Sequence, residues 1–193
     1  MNETITMGQY CGEPITWNVI CRKYNSLFLL SEKIIEVGAF NEEIRGTKWE
    51  CCDLRQWLNG VFFNTSFSDS EKGKVLNTEI RNGVSDKVFL LSLAEILHFF
   101  DNEKERQAFG TKHALDGMLG ASYGKSHENI SHWWWLRSMS SGPYAAANIA
   151  ADLIDDRMES RAIIISQQGC LDYGGVDVNY QDVGIRPAMW IKL

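Results

Sequence analysis

Along residues 15–20 (Ile15-Thr16-Trp17-Asn18-Val19-Ile20), side-chain character alternates at period two, the pattern of a strand with one face buried. A Tyr24-Asn25 turn follows, and Leu27 to Leu30 returns as a wholly apolar run, so this segment predicts a hairpin. The period changes at Cys52-Asp53. Leu54, Trp57, Leu58, Val61 and Phe62 fall at i, i+3, i+4, i+7 and i+8, which makes one helical apolar stripe, with Arg55, Gln56 and Asn59 off it. Gly60 lies inside that stretch and predicts a loose last turn. Ser68 with Glu71, and Ser92 with Glu95, have the capping-box spacing. They predict one helix running towards Leu76 and another over Ile96, Leu97 and Phe100. Val88-Phe89-Leu90-Leu91, between them, predicts a short buried strand.

Residues 101–131 are polar and predict irregular chain with one helical turn around Glu103 to Phe109. His132 to Arg137 predicts an aromatic strand, Val183 to Leu193 a closing strand, and Ile163-Ile164-Ile165 a β-branched run within a long stretch of Ser, Gly, Asp, Asn and Tyr. Strands early and late, helices early and irregular loops between them give an α+β class rather than a wound βαβ fold. No repeat or Pro-rich linker divides the 193 residues, so they predict one domain. Its scaffold is residues 1–137 and 183–193, and its loops are residues 138–182.

Charge sharpens this division. The chain carries 19 Lys and Arg against 25 Asp and Glu, a formal charge of −6. Residues 138–182 hold seven acids and two bases, so −5 of that charge lies in one segment. Such a balance argues against a phosphate-tracking surface, and no nucleic-acid partner is expected. No apolar run approaches the roughly 20 residues that span a bilayer, so no membrane insertion is expected. The segment Met1 to Thr6 has no basic stretch followed by an apolar one. The expectation is a protein that is cytoplasmic as synthesised, with association to a phage or cell surface through partners as an alternative.

The usual catalytic signatures are missing: no nucleophile elbow, phosphate loop, dinucleotide fingerprint or paired-histidine zinc helix occurs. Cys11, Cys21, Cys51, Cys52 and Cys170 have no zinc spacing, and Cys51-Cys52 read as capping-turn residues at a helix entry rather than a redox pair. A Cys170–His132 couple, and an oxygen-ligand cation site at Asp152, Asp155 and Asp156, stay as enzyme or metal alternatives. In a strand, Trp133 and Trp135 face one side and Trp134 the other. The alternatives are a stacking platform and, preferred here, two covered faces. Arg137 and Arg186 each follow an apolar segment and read as buried or half-buried anchors, since a guanidinium can tie loop carbonyls together.

Several motifs occur in a familiar order. They are Pro14-Ile15-x-Trp17-x-Val19-Ile20, Leu29-Leu30-Ser31-Glu32, and Trp49 followed by Leu54-Arg55-Gln56-Trp57-Leu58-Asn59. Asp86 to Ser92 with Glu95, Trp134-Trp135-Leu136-Arg137-Ser138, and Gly184-Ile185-Arg186-Pro187-Ala188-Met189-Trp190 complete it. This order resembles the bacterial family known as domain of unknown function 6273. The W-L-R-S and G-I-R-P-A strands are also similar to those of the C-type-lectin-like fold, shared by formylglycine-generating-enzyme-type domains and by the variable proteins of diversity-generating retroelements. The resemblance implies two early helices packed on a small twisted, mainly antiparallel sheet, chain ends close together, and a loop-rich face from the C-terminal third. Trp57, Trp134, Arg137, Arg186 and Trp190 would be its structural scaffold.

The enzyme relatives use a cysteine pair in the C-terminal region to bind copper, whereas that third of this chain holds only Cys170. The calcium-and-sugar tripeptides of true C-type lectins are not matched: Glu13-Pro14-Ile15 lies at the wrong end, and no W-N-D occurs. No cofactor and no metal are therefore expected. In retroelement variable proteins, adenine-directed mutagenesis rewrites C-terminal codons, and Asn, Asp, Tyr, Ser, Gly and Ala are among its outcomes. Residues 138–182 are rich in all six. The expectation is a non-enzymatic module binding a protein ligand, basic or neutral rather than anionic, through Tyr144, Asn148, Asp152, Tyr173, Asp177, Asn179, Tyr180 and Asp182. The competing classes are a formylglycine-generating-enzyme-like or other metal or cysteine enzyme, and a structural domain of a phage or cell-surface assembly.

Overall fold

Thr4–Tyr10 (β1), Glu13–Lys23 (β2) and Ser26–Ser31 (β3) form the start of an antiparallel meander. It folds as the alternation requires: Ile15 and Trp17 point into the core, and Thr16 and Asn18 away from it. The structure, a computed structural model, describes residues 3–44, 47–81, 83–118, 130–140 and 160–193. Tyr24, at the hairpin turn, takes φ +52°. Every residue from Leu27 to Ser31 is buried, because the last strand of the chain, β11 (Ala188–Lys192), pairs along the other side of β3. That sheet has the order β1-β2-β3-β11, so the first and last strands share it, with β2 and β3 between them.

A second sheet has the order β4-β10-β7-β8-β9, built from Glu36–Val37, Gly184–Ile185, Trp134–Met139, Arg161–Ile165 and Leu171–Asp177. Among the described strand pairs of this sheet, β10 and β7 run parallel and the others antiparallel. Thr78–Arg81 (β5) and Val84–Asp86 (β6) make a small hairpin. The helices are Asp53–Trp57 (α1), Phe63–Ser66 (α2), Asp69–Lys72 (α3), Leu93–Phe99 (α4), Glu103–Arg106 (α5) and Lys112–Gly117 (α6). Buried side chains of both large sheets and of the helices form one continuous apolar cluster. The class is α+β, with more sheet than helix.

Both capping boxes form in full, Ser68 with Glu71 and Ser92 with Glu95. The first helix departs from a regular stripe. Residues Leu58–Phe62 make a π turn between α1 and α2, and its extra residue per turn rotates the following positions. Val61, expected on the buried stripe, is therefore 61% exposed, and Phe62 and Phe63 are buried. Leu97 is exposed on α4, while Ile96 on the helix and Phe100 at its C-cap are buried.

Three strand expectations need correction. Val88 to Leu91 are all buried, but only Phe89 is paired, through a single bridge to Ala188; burial of this run comes from packing rather than from a ladder. The closing strand is broken into β10 and β11 by Arg186-Pro187, since proline has no N–H to continue the ladder. Residues 171–177, expected as loop, form strand β9. Within 101–131 the helical turn at Glu103–Arg106 forms, and α6 is an additional helix whose N-cap is Thr111. Trp133 lies before β7 and is exposed, while Trp134 and Trp135 are fully buried on opposite faces. The covered-faces reading of the triple tryptophan holds for those two.

Candidate functional site

The C-terminal candidates divide by element. Among the described strands, β9 is the outer member of its sheet, paired with β8. Its path is fixed from below. Gly175 has φ +62°, and a Cβ there would lie 2.3 Å from the Ala162 carbonyl oxygen, so β9 can approach β8 only with glycine at this point. The Gly175 amide donates to Asp172 Oδ1 at 3.2 Å, and Ser140 Oγ donates to the Tyr173 carbonyl at 2.7 Å. Tyr173 is half-buried on this strand, and Asp177 is exposed at its end, 3.3 Å from Arg161 Nε across the ladder. Both side chains of that pair are largely solvated, so its worth is small.

Beyond β9 the chain is pinned at two buried valines. The Val178 amide donates to Ser160, and its carbonyl accepts from Phe40 and Asn41 at 2.8 and 3.0 Å. The Val183 carbonyl accepts from Gly38 at 3.1 Å. Between these pins a turn closes through the Tyr180 amide and the Asp177 carbonyl at 2.9 Å. Tyr180 is 47% exposed, whereas Asn179 and Asp182 are half-buried. Asp182 Oδ1 is buried with no hydrogen-bond partner among the described residues. The structure thus brings Asp177, Asn179, Tyr180 and Asp182 together on one short turn, with Tyr173 further along β9. Tyr144, Asn148 and Asp152 lie outside the described residues, as do Asp155 and Asp156.

Arg137 and Arg186 each reach a main-chain carbonyl. Arg137 Nη1 bonds the Leu90 carbonyl and lies 2.6 Å from Glu95 Oε2, tying β7 to the capping box of α4. Arg186 is buried, donates through Nε to the Ser31 carbonyl at 2.9 Å, and lies over the Trp134 ring with 5.0 Å to its centroid. Burial pushes its pKa down to about 10, partly offset by the charge of Glu32, so it is a cation at neutral pH. Trp134 Nε1 donates to the Arg106 carbonyl and Trp135 Nε1 to the Gly38 carbonyl. Trp57 and Trp190 are half-buried against the core.

Among the described residues no group of three or more His, Cys, Asp and Glu is placed to hold a metal ion. Cys51-Cys52 do sit at a helix entry, and Cys52 Sγ caps α1 by accepting from the Arg55 amide at 3.4 Å. Desolvation pushes the Cys52 thiol up to about 12. Cys11, Cys51 and Cys170 are exposed. Iodoacetamide at pH 8 is expected to modify those three and spare Cys52, read by peptide mapping. A raised thiol pKa also means that the fold holds this proton more tightly than the unfolded chain does. Stability therefore falls as pH climbs from about 8.5, the free-thiol value, towards the folded one. Denaturant midpoints measured at pH 8 and pH 10 in wild type and Cys52→Ala check this: the decline should be shallower in the variant.

One constellation escaped the sequence reading. Tyr10 on β1 donates to Glu36 Oε2 at 2.7 Å, and His113 on α6 meets the same oxygen at 2.8 Å through Nε2. Glu36 Oε1 accepts the Val37 amide at 3.0 Å. Burial and the neighbouring carboxylate push the Tyr10 phenol well above its ordinary pKa, so it stays neutral. The partners stand 26 and 77 positions from Glu36, with no local spacing to link them. Beside Tyr10 opens a cleft of about 160 Å³, lined by Tyr10, Glu13, Ile15, Glu32, Lys33 and Ile35, among others.

The sequence model of the family described as "Domain of unknown function (DUF6273)" matches residues 24–193. The chain belongs to that family. It is also similar to a probable F-box protein of Arabidopsis thaliana, 34% identical over 67 residues, which are 32% of this chain and 23% of that protein. The chain thus spans less than a quarter of the length of that curated relative. No solved structure matches.

Proposed function

We propose that this member of the DUF6273 family is a non-enzymatic protein-binding module of C-type-lectin-like fold, displaying a face built by β9 and the turn at 177–182. One observation carries the reading. Exposed or half-buried polar and aromatic positions (Asp177, Asn179, Tyr180, Asp182) are interleaved with buried pins (Gly175, Val178, Val183) that hold the backbone. Side chains on such a turn can be replaced without disturbing the core, and the fold can specialise there. Tyrosine suits this use, with large amphipathic area and few rotatable bonds, while Asn and Asp supply directional hydrogen bonds. The acidic bias favours a basic or neutral partner with a salt-sensitive association rate.

The finer form of this proposal is a retroelement variable protein, supported by the codon outcomes enriched in 138–182. Sequencing the 3′ half of the gene across a population of the source organism tests it. Substitutions are expected at Tyr144, Asn148, Asp152, Tyr173, Asp177, Asn179, Tyr180 and Asp182, with Trp134, Arg137, Gly184 and Arg186 fixed. An invariant segment removes the retroelement form and leaves a module of fixed specificity. For the binding face itself, the double variant Tyr173→Ala with Tyr180→Ala should keep its fold and lose partner capture. Loss of the fold would make these residues core and overturn the assignment.

A further inference from the structure

Asn59 is followed by Gly60, so a side-chain amide stands next to an unhindered main-chain nitrogen. In a free chain such a pair reacts with itself. The Gly60 nitrogen attacks Asn59 Cγ, the Cγ–Nδ2 bond breaks, and ammonia leaves carrying the Gly60 amide proton. Water then opens the resulting five-membered imide at either carbonyl, giving aspartate or its β-linked isomer. Glycine makes the attack easy, because no Cβ crowds the nitrogen.

The fold holds the two reacting groups apart. Asn59 Nδ2 donates to the Arg55 carbonyl at 3.1 Å and to the Val88 carbonyl at 2.8 Å. Asn59 Oδ1 accepts the Lys87 amide at 2.8 Å and the Val88 amide at 3.2 Å. Both donors and both lone pairs of the side-chain amide are therefore in use. Closing the imide needs this side chain folded back over its own peptide, which its bonds to residues 87 and 88 oppose. It also needs a backbone rotation, and Asn59 and Gly60 lie inside the π turn Leu58–Phe62, where the Gly60 carbonyl accepts from the Phe63 amide. Both residues are half-buried rather than sealed, so geometry and not exclusion of water protects the pair.

We infer that Asn59-Gly60 is a self-modification site gated by the fold. It is closed in the native chain, opens when the π turn parts from residues 87 and 88, and records a lasting opening irreversibly. The product cannot remake the clip. A carboxylate at position 59 has no N–H for the Arg55 and Val88 carbonyls, and the β-linked form adds a carbon to the helical backbone. Chain that stays unfolded long enough to react is thereby converted into chain that refolds less stably.

The test incubates the full chain at pH 8, folded and in guanidinium chloride, and follows deamidation by peptide mapping with isoaspartate detection. The other Asn-Gly pair of the sequence, Asn82-Gly83, gives the intrinsic rate in denaturant; Asn82 lies outside the described residues. Asn59 and Asn82 should react alike in denaturant, and Asn59 at least roughly tenfold more slowly in the folded chain. Gly60→Ala should remove most of the reaction in denaturant and keep the fold, since nothing lies within 4 Å of the Cβ it adds. Asn59→Asp, made directly, should unfold at a lower denaturant concentration than wild type. Equal rates at Asn59 in the folded and unfolded chain, no reaction there in denaturant, or a wild-type midpoint for Asn59→Asp would each overturn the inference.

Discussion

Replacing Asp86 with Ala should cost about 3–5 kcal/mol, among the largest losses available to a single substitution in this protein. Asp86 is buried at the end of β6, where Oδ2 accepts from Trp49 Nε1 at 2.8 Å and Oδ1 from Arg55 Nε at 2.7 Å. Trp49 opens the turn before α1, and Arg55 lies on α1 and also donates to the Glu50 carbonyl at 2.7 Å. One carboxylate thus joins three elements. Removing it strands a mostly buried guanidinium and a buried indole N–H, and it is the stranded charge that costs most. Denaturant titration of Asp86→Ala measures the loss. The double variant Asp86→Ala with Arg55→Met should recover a large part of it, because it also removes the unpaired cation. A single variant within about 1 kcal/mol of wild type would show that solvent reaches this cluster freely.

The second large effect is expected at Gly169, in the turn from β8 into β9. Its φ is +82°, and a Cβ there would lie 1.9 Å from the Glu103 carbonyl oxygen. The same turn is clamped to α5 by Arg106 Nε, which donates to the Gly169 carbonyl at 2.8 Å. Gly169→Ala should therefore cost about 2–4 kcal/mol, by adding a steric push against α5 to the left-handed strain. Gly12 is the matched control. It has the same φ, +82°, and nothing within 4 Å of its missing Cβ, so Gly12→Ala should cost only about 1 kcal/mol. Equal losses at the two positions would mean that the hairpin lifts off α5 at no cost, and that the clamp does not hold β9 in place.

Elements governed by local pattern were legible in the sequence. The β2–β3 hairpin follows from alternation and a turn, and the two capping boxes from a spacing of three residues. What was hidden depends on partners far along the chain. Val61 faces solvent because a π turn shifts the register, and an α-period count has no term for that insertion. Strand β9 was hidden by Gly174 and Gly175, which read as loop residues until Ala162 is seen to demand one of them. Val88 to Leu91 are buried but unladdered, a distinction that hydrophobicity does not encode. For the site, the turn residues 177–182 were legible as a polar, aromatic-bearing segment, while their pins, Val178 and Val183, were not. The cluster of Tyr10, Glu36 and His113 draws on three elements and left no trace in local sequence.

The binding proposal is tested most directly by placing a photo-crosslinking phenylalanine analogue at position 180, with position 24 as control. Tyr24 is also aromatic and more exposed, 97% against 47%, but it belongs to the β2–β3 turn, in the sheet that does not contain β9. Irradiation in an extract of the source cells should give a discrete adduct from position 180 that is absent from position 24 and is competed by the unlabelled protein. Adducts of equal yield from both positions, or none from position 180, would contradict a binding role for this face.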